Sequence, residues 1–237
     1  MNMNKHSQIE HEEDEWAGLK QQVWIFLGAL FGILLSSLLL IGGVMLLTKP
    51  ANADVPDAAK AHQRTLTRTA YAHWGLDAPV ATFAAQIHQE SSWRIDARSP
   101  AGAEGLAQFM PATSEWFASI NPRDLTIAQP YNPAWAMRAQ VLYNRWLYNR
   151  ITAADACNRM AFTLSAYNGG LGWVQRDQAL ASASGADRLV YASVAPFNAG
   201  RSAANIHENR HYVDVIINRW QPLYMQAGWG VGVCNDI

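Results

Sequence analysis

The most apolar stretch of the chain runs from Val23 to Leu47, 25 residues without a charged side chain. As a helix rising 1.5 Å per residue it would be about 37 Å long, against roughly 30 Å of bilayer hydrocarbon. A core helix is rarely apolar on every face for about seven turns, so the pattern predicts a membrane-spanning segment. Gly28 and Gly32 within it have the spacing of a helix-packing face. Residues 1–22 form a polar tail with five acids (Glu10, Glu12, Glu13, Asp14, Glu15) and two lysines (Lys5, Lys20). Residues 48–63 read as a linker opening on Lys49 and Pro50, and residues 64–237 as one globular domain. Ala51-Asn52-Ala53 has the form of a signal-peptidase site. The apolar run is long for a signal sequence and its leading tail is acidic, so an uncleaved anchor is the expectation, with cleavage near Ala53 the alternative.

Past the linker the periodicity is helical. Val80, Phe83, Ala84 and Ile87 recur at three- and four-residue spacing behind Asp77-Ala78-Pro79, which reads as a cap with Pro in the first turn. Residues 111–119, 133–149, 155–167 and 210–227 are further helix candidates, the first two opening on Pro111 and Pro133. The Ala/Ser-rich stretch 179–186 reads as a loop. No six residues alternate cleanly between turn signals, so a large sheet is not expected. The fold class predicted is mainly α, a helical domain behind a single N-terminal transmembrane helix.

Composition narrows the function. With 50% hydrophobic residues, 16% charged and a net charge of -1, the chain is neither disordered nor a basic nucleic-acid binder. Two cysteines cannot build a zinc ribbon. Ten tryptophans supply flat faces as well as core; Trp93 and Trp116 are candidates to stack on a ligand.

The chemistry starts at Glu90, which continues the stripe Val80, Phe83, Ile87 and so falls on the buried side at the helix end. A carboxyl there is either paired or functional, because an isolated buried carboxylate is costly and tends to stay protonated. It is followed by a glycine-punctuated loop, Ser99 to Pro111, holding Gly102, Gly105, Leu106 and Gln108. Later, Ser165-Ala166-Tyr167-Asn168-Gly169-Gly170 closes a helix and leaves a phenol and an amide at its exit.

Glu90-Ser91, Gly105-Leu106-Ala107-Gln108 and Ala166-Tyr167-Asn168 stand in the order and spacing of the soluble lytic transglycosylase family, whose catalytic domain resembles goose-type lysozyme. Gly75–Pro79 and Pro111-Ala112-Thr113 are similar to the same family, and Glu208-Asn209-Arg210-His211-Tyr212 resembles its fourth motif. The resemblance covers residues 64–227. It departs at Ala107, where the family usually carries Met against the glycan, and around Phe197–Arg201, which looks more like phage-encoded lysis enzymes (endolysins). The resemblance implies a lysozyme-like domain and a lyase that degrades cell-wall peptidoglycan without a cofactor or metal. It cuts the β-1,4 bond between N-acetylmuramic acid and N-acetylglucosamine and leaves 1,6-anhydro ends. Glu90 would be the catalytic acid and base. Ser91, Ser99, Gln108, Tyr167, Asn168 and Tyr212 would orient it or bind the glycan. Such a substrate puts the domain in the periplasm, anchored in the inner membrane by residues 23–47 with residues 1–22 in the cytoplasm. The lysines and arginines flanking the span do not favour that orientation, but a long domain can translocate regardless. In that oxidising compartment Cys157 and Cys234 are expected to pair.

Three other readings stay open on the sequence. His207-Glu208-Asn209-Arg210-His211 satisfies the zinc-protease pattern H-E-x-x-H, although no His or Glu follows to serve as third ligand. A hydrolytic muramidase of the same fold would need a second carboxylate, from Asp96, Glu104 or Glu208. A scaffold that only binds glycan would leave Glu90 dispensable. Sequence leaves the oligomeric state undetermined.

Overall fold

The computed structural model describes residues 54–234. The expected tail over 1–22 and membrane span over 23–47 lie outside the described residues; among the latter no helix is long and apolar enough to cross a membrane. The chain enters through a one-turn helix, α1 (Asp57–Lys60), and α2 (Gln63–Trp74). Val55, Ala59, Leu66 and Ala70 are buried in the common core, so the packed domain begins before residue 64 and takes in the end of the expected linker.

α3 (Val80–Ser91) carries the anticipated stripe, but its burial goes further round. Ala81, Thr82, Ala85 and Gln86 are as fully enclosed as Val80, Phe83, Ala84 and Ile87, which makes α3 the central helix. Its start differs from the expected cap. Pro79 precedes the first helical residue and no side chain caps the end. The Ala81 N–H instead donates to the Val231 carbonyl at 3.2 Å, so the C-terminal tail closes the helix.

α4 (Pro111–Ile120) and α5 (Pro133–Tyr148) open on the anticipated prolines. The Asn132 carboxamide caps α5, accepting from Ala134 and Trp135, and the Asp155 carboxylate caps α6 (Ala156–Gly169). α7 (Leu171–Ala183) runs into the stretch expected to be a loop. Alanine is the best helix former and Ala181 is buried, so the helix persists until the turn at Gly185, where φ is +81°. After the short α8 (Tyr191–Val194), α9 (Ala203–Asp214) is capped by Ser202. It continues through a π-helical turn (Val215–Trp220) into α10 (Gln221–Gln226). Pro222 explains the turn: it lacks an N–H and its ring crowds the carbonyl four residues back, so the register slips upstream of it. The candidate helix at 210–227 is therefore longer at its start and interrupted.

No strand forms among the described residues. Two isolated antiparallel bridges, Arg98 to Glu104 and Glu104 to Phe109, pin the glycine loop. α3 packs against α2, the π turn and α10, while α6 packs against α5, α7 and α9. The tail after α10 buries Trp229 and is fastened twice. Gln221 bonds the Val233 N–H (3.2 Å) and the Cys234 carbonyl, and a disulfide joins Cys234 to Cys157 in the first turn of α6.

Candidate active site

Glu90 sits in the last turn of α3, partly buried, at the wall of a cleft of about 590 Å³. The cleft runs between the glycine loop, the exit of α6 and one face of α9. The Tyr212 hydroxyl, itself buried, donates to Glu90 Oε1 at 2.5 Å. Burial removes water from the carboxyl and raises it from the ordinary 4.5 to about 8; the Tyr212 hydrogen bond opposes the rise and the Glu208 charge adds to it. At neutral pH Glu90 is therefore predominantly a protonated acid.

The glycine loop has a shape that only its sequence permits. Gly105 takes φ +70°, and a Cβ there would lie 1.8 Å from the Pro130 carbonyl oxygen. Gln108 follows at φ 48° and donates from Nε2 to the carbonyls of Ala97 (3.2 Å) and Gly105 (2.8 Å). Its Oε1 is left as an acceptor on the cleft wall. Ser99 also lines the cleft, and its Oγ accepts from the Ala103 N–H at 3.0 Å.

Tyr167 lines the cleft from α6, but its hydroxyl donates to the Ala107 carbonyl at 2.8 Å rather than to Glu90. Burial and the Glu90 charge keep that phenol protonated. Asn168 reaches the cleft with its Oδ1 taken by Asn209 Nδ2 at 2.8 Å, which turns its own N–H donors outward. Behind it, buried Asp177 accepts from Arg210 at 2.8 Å and pairs with Arg201. Arg210 also bonds the Ala195 and Phe197 carbonyls. This network locks the Phe197–Arg201 segment against α7 and α9.

Not every candidate residue meets in the cleft. Ser91 is buried behind it and donates to the Leu106 carbonyl at 2.9 Å, so it fastens the glycine loop to α3. Trp93 is 1% exposed and donates to Tyr224 in the core, and Trp116, 41% exposed, packs edge-on against Trp146 outside the cleft. Neither offers a face to a ligand in it. Ala107 is fully buried, while Met110, three residues on, lines the cleft. His207 and His211 stack with ring centroids 6.3 Å apart, and among the described residues no third His, Cys, Asp or Glu completes a metal-binding group with them.

Sequence reasoning missed Gln86. Its Nε2 donates to the Tyr212 hydroxyl at 3.1 Å, and its Oε1 accepts from Gln140 (2.8 Å) and Asn144 (2.6 Å). The available signal was its position one turn before Glu90, a polar residue inside an apolar helix. Tyr143, Glu208 and His211 also line the cleft.

The comparisons with known proteins agree with this architecture. Over 105 residues the chain is 31% identical to the membrane-bound lytic murein transglycosylase F of Pasteurella multocida (strain Pm70), covering 44% of this chain. The chain spans about a fifth of that relative's length (20%). The fold is shared with the 70 kDa soluble lytic transglycosylase of Escherichia coli (TM-score 0.54, 20% identity, 71% of this chain and 25% of that one). It is also shared with an inactive mutant of lytic transglycosylase Slt from Pseudomonas aeruginosa (TM-score 0.55, 22% identity, 73% and 25%). Residues 69–190, just over half of the 237, match the family model described as the transglycosylase SLT domain, and the chain belongs to that family.

Proposed function

We propose that the chain is a peptidoglycan lytic transglycosylase that cuts the β-1,4 bond between N-acetylmuramic acid and N-acetylglucosamine without water. The observation that carries this reading is the placement of Glu90, a carboxyl on the cleft wall with the Tyr212 hydroxyl hydrogen-bonded behind it, where burial raises its titration to about 8. Glu90 gives its proton to the glycosidic oxygen as the bond from the muramoyl anomeric carbon breaks, and N-acetylglucosamine leaves with a free hydroxyl. The muramoyl C6 hydroxyl then attacks the same anomeric carbon and returns its proton to Glu90, closing the 1,6-anhydro ring. One carboxyl serves both steps, and the developing positive charge is met by the substrate's own acetamido group, an arrangement outside the paired-carboxylate rule. The Gln108 carbonyl oxygen and the outward-facing Asn168 N–H groups are complementary to sugar hydroxyl and acetamido groups.

The matched relative is described as membrane-bound, and the charge-free run over 23–47 supports an anchor for this chain in the inner membrane. The domain then acts on the periplasmic side, opening the wall locally or lysing the cell. Purified sacculi test the reading: the full chain should clear their turbidity and release soluble muropeptides, and the Glu90→Gln variant should not. Clearing by that variant at the wild-type rate would overturn it.

A further inference from the structure

Gln86, Gln140 and Asn144 form a fully buried row of amides behind Tyr212, and none of the three lines the cleft. Two of the three amides are held the right way round by a backbone group that cannot turn. Gln140 Nε2 donates to the Phe83 carbonyl at 3.0 Å and Asn144 Nδ2 to the Gln140 carbonyl at 3.0 Å. A backbone carbonyl only accepts, so both nitrogens are fixed as donors. Both also point at Gln86 Oε1, which makes that atom the acceptor and leaves Gln86 Nε2 facing the Tyr212 oxygen. Tyr212 has one hydrogen, and with its oxygen occupied by that donor the hydrogen lies along the contact to Glu90 Oε1.

We infer that Gln86 is a positioning residue: it fixes the Tyr212 hydroxyl as a donor to Glu90 Oε1, so that the acid proton resides on Oε2. The inference rests on the reading of Glu90 as general acid. A phenol free to rotate could instead accept the carboxyl proton, turning it away from the glycosidic oxygen. The arrangement costs stability, since Gln140 Oε1 and Asn144 Oδ1 are buried without partners. An apolar row in their place would avoid that cost, which fits a role beyond packing. The other titratable groups facing Glu90 across the cleft are Tyr143 on α5, Tyr167 on α6, and Glu208 and His211 on α9.

The test is a double-mutant cycle in the full chain between Gln86→Met and Tyr212→Phe, following kcat, KM and the pH–rate profile on peptidoglycan, with the Glu90 carboxyl titrated by NMR. Gln86→Met should lower kcat about five- to tenfold with KM unchanged, the loss of one directed hydrogen bond. It should also raise the Glu90 titration by about one pH unit, because the donor to the carboxylate is no longer directed. In the Tyr212→Phe background the same substitution should change neither quantity, since there is no hydroxyl left to direct. Asn144→Leu, which touches the row three hydrogen bonds from Glu90, should shift the titration the same way by less and serves if Gln86→Met does not fold. A wild-type titration and kcat in Gln86→Met, or an effect that adds in full to Tyr212→Phe, would overturn the inference. If the wild type proved inactive on peptidoglycan, the proposed function would fail while the carboxyl titration still decided the positioning role.

Discussion

Replacing Glu90 with Gln should stabilise the protein while abolishing cleavage. Folding holds this carboxyl at about 8 against an ordinary 4.5, chiefly because burial strips water from its charged form. Between those values the folded chain keeps a proton that the unfolded chain releases, so wild-type stability is fully present below pH 4.5 and is lost as pH rises towards 8. At 1.36 kcal/mol per pH unit, the loss is about 3 kcal/mol at pH 7 and about 5 kcal/mol above pH 8. One side of the carboxyl opens to the cleft, and solvent screening brings the value at pH 7 to about 1–3 kcal/mol. Gln has the same shape, cannot ionise, and presents an oxygen to the Tyr212 donor. Urea unfolding at a series of pH values measures the difference directly. The variant and the wild type should be equally stable near pH 4.5 and should diverge up to about pH 8, with melting temperatures several degrees apart at the upper end. A variant less stable than wild type at pH 8, or a difference that does not change with pH, would refute the claim that Glu90 is a desolvated acid.

Four further outcomes are expected. Activity should fall as pH rises through about 8, where Glu90 loses its proton; Glu208→Gln, by removing a charge that holds the proton on, should move that fall to lower pH. Reducing the Cys157–Cys234 bridge, which closes a loop with sequence separation 77, should cost about 2–4 kcal/mol in a denaturation curve and leave the cleft chemistry intact. Gly105→Ala should destabilise by about 2 kcal/mol or more, because its Cβ meets the Pro130 carbonyl at a backbone angle that suits glycine. Asp177→Asn should cost about 3–5 kcal/mol in thermal unfolding, since it leaves Arg201 and Arg210 without their shared buried counter-charge.

Where local chemistry decides the structure, the sequence was readable. The starts of α4 and α5 follow from Pro111 and Pro133, and the end of α6 follows from Gly169-Gly170. Glu90 stood out because a carboxyl on an apolar stripe needs a reason. What escaped depends on contacts distant in the chain. The resemblance implies that Ser91 orients Glu90 or binds the glycan, whereas its hydroxyl bonds Leu106, fifteen residues away, and faces the loop. The Gln86 row takes shape only when α5 and α9 meet α3, and no periodicity announces an amide network. Trp93 looked like Trp116 in sequence, and only the packing of Tyr224 and Trp229 distinguishes them. The Ala/Ser-rich end of α7 has the composition of a loop, and it is helical because Ala181 is buried there.

The most direct test of the proposed chemistry is the mass of the glycan ends released from purified sacculi in water labelled with heavy oxygen. Transglycosylation through Glu90 predicts 1,6-anhydromuramic ends carrying no label. Reducing muramic ends that have taken up the heavy oxygen would contradict it and make the enzyme a hydrolase.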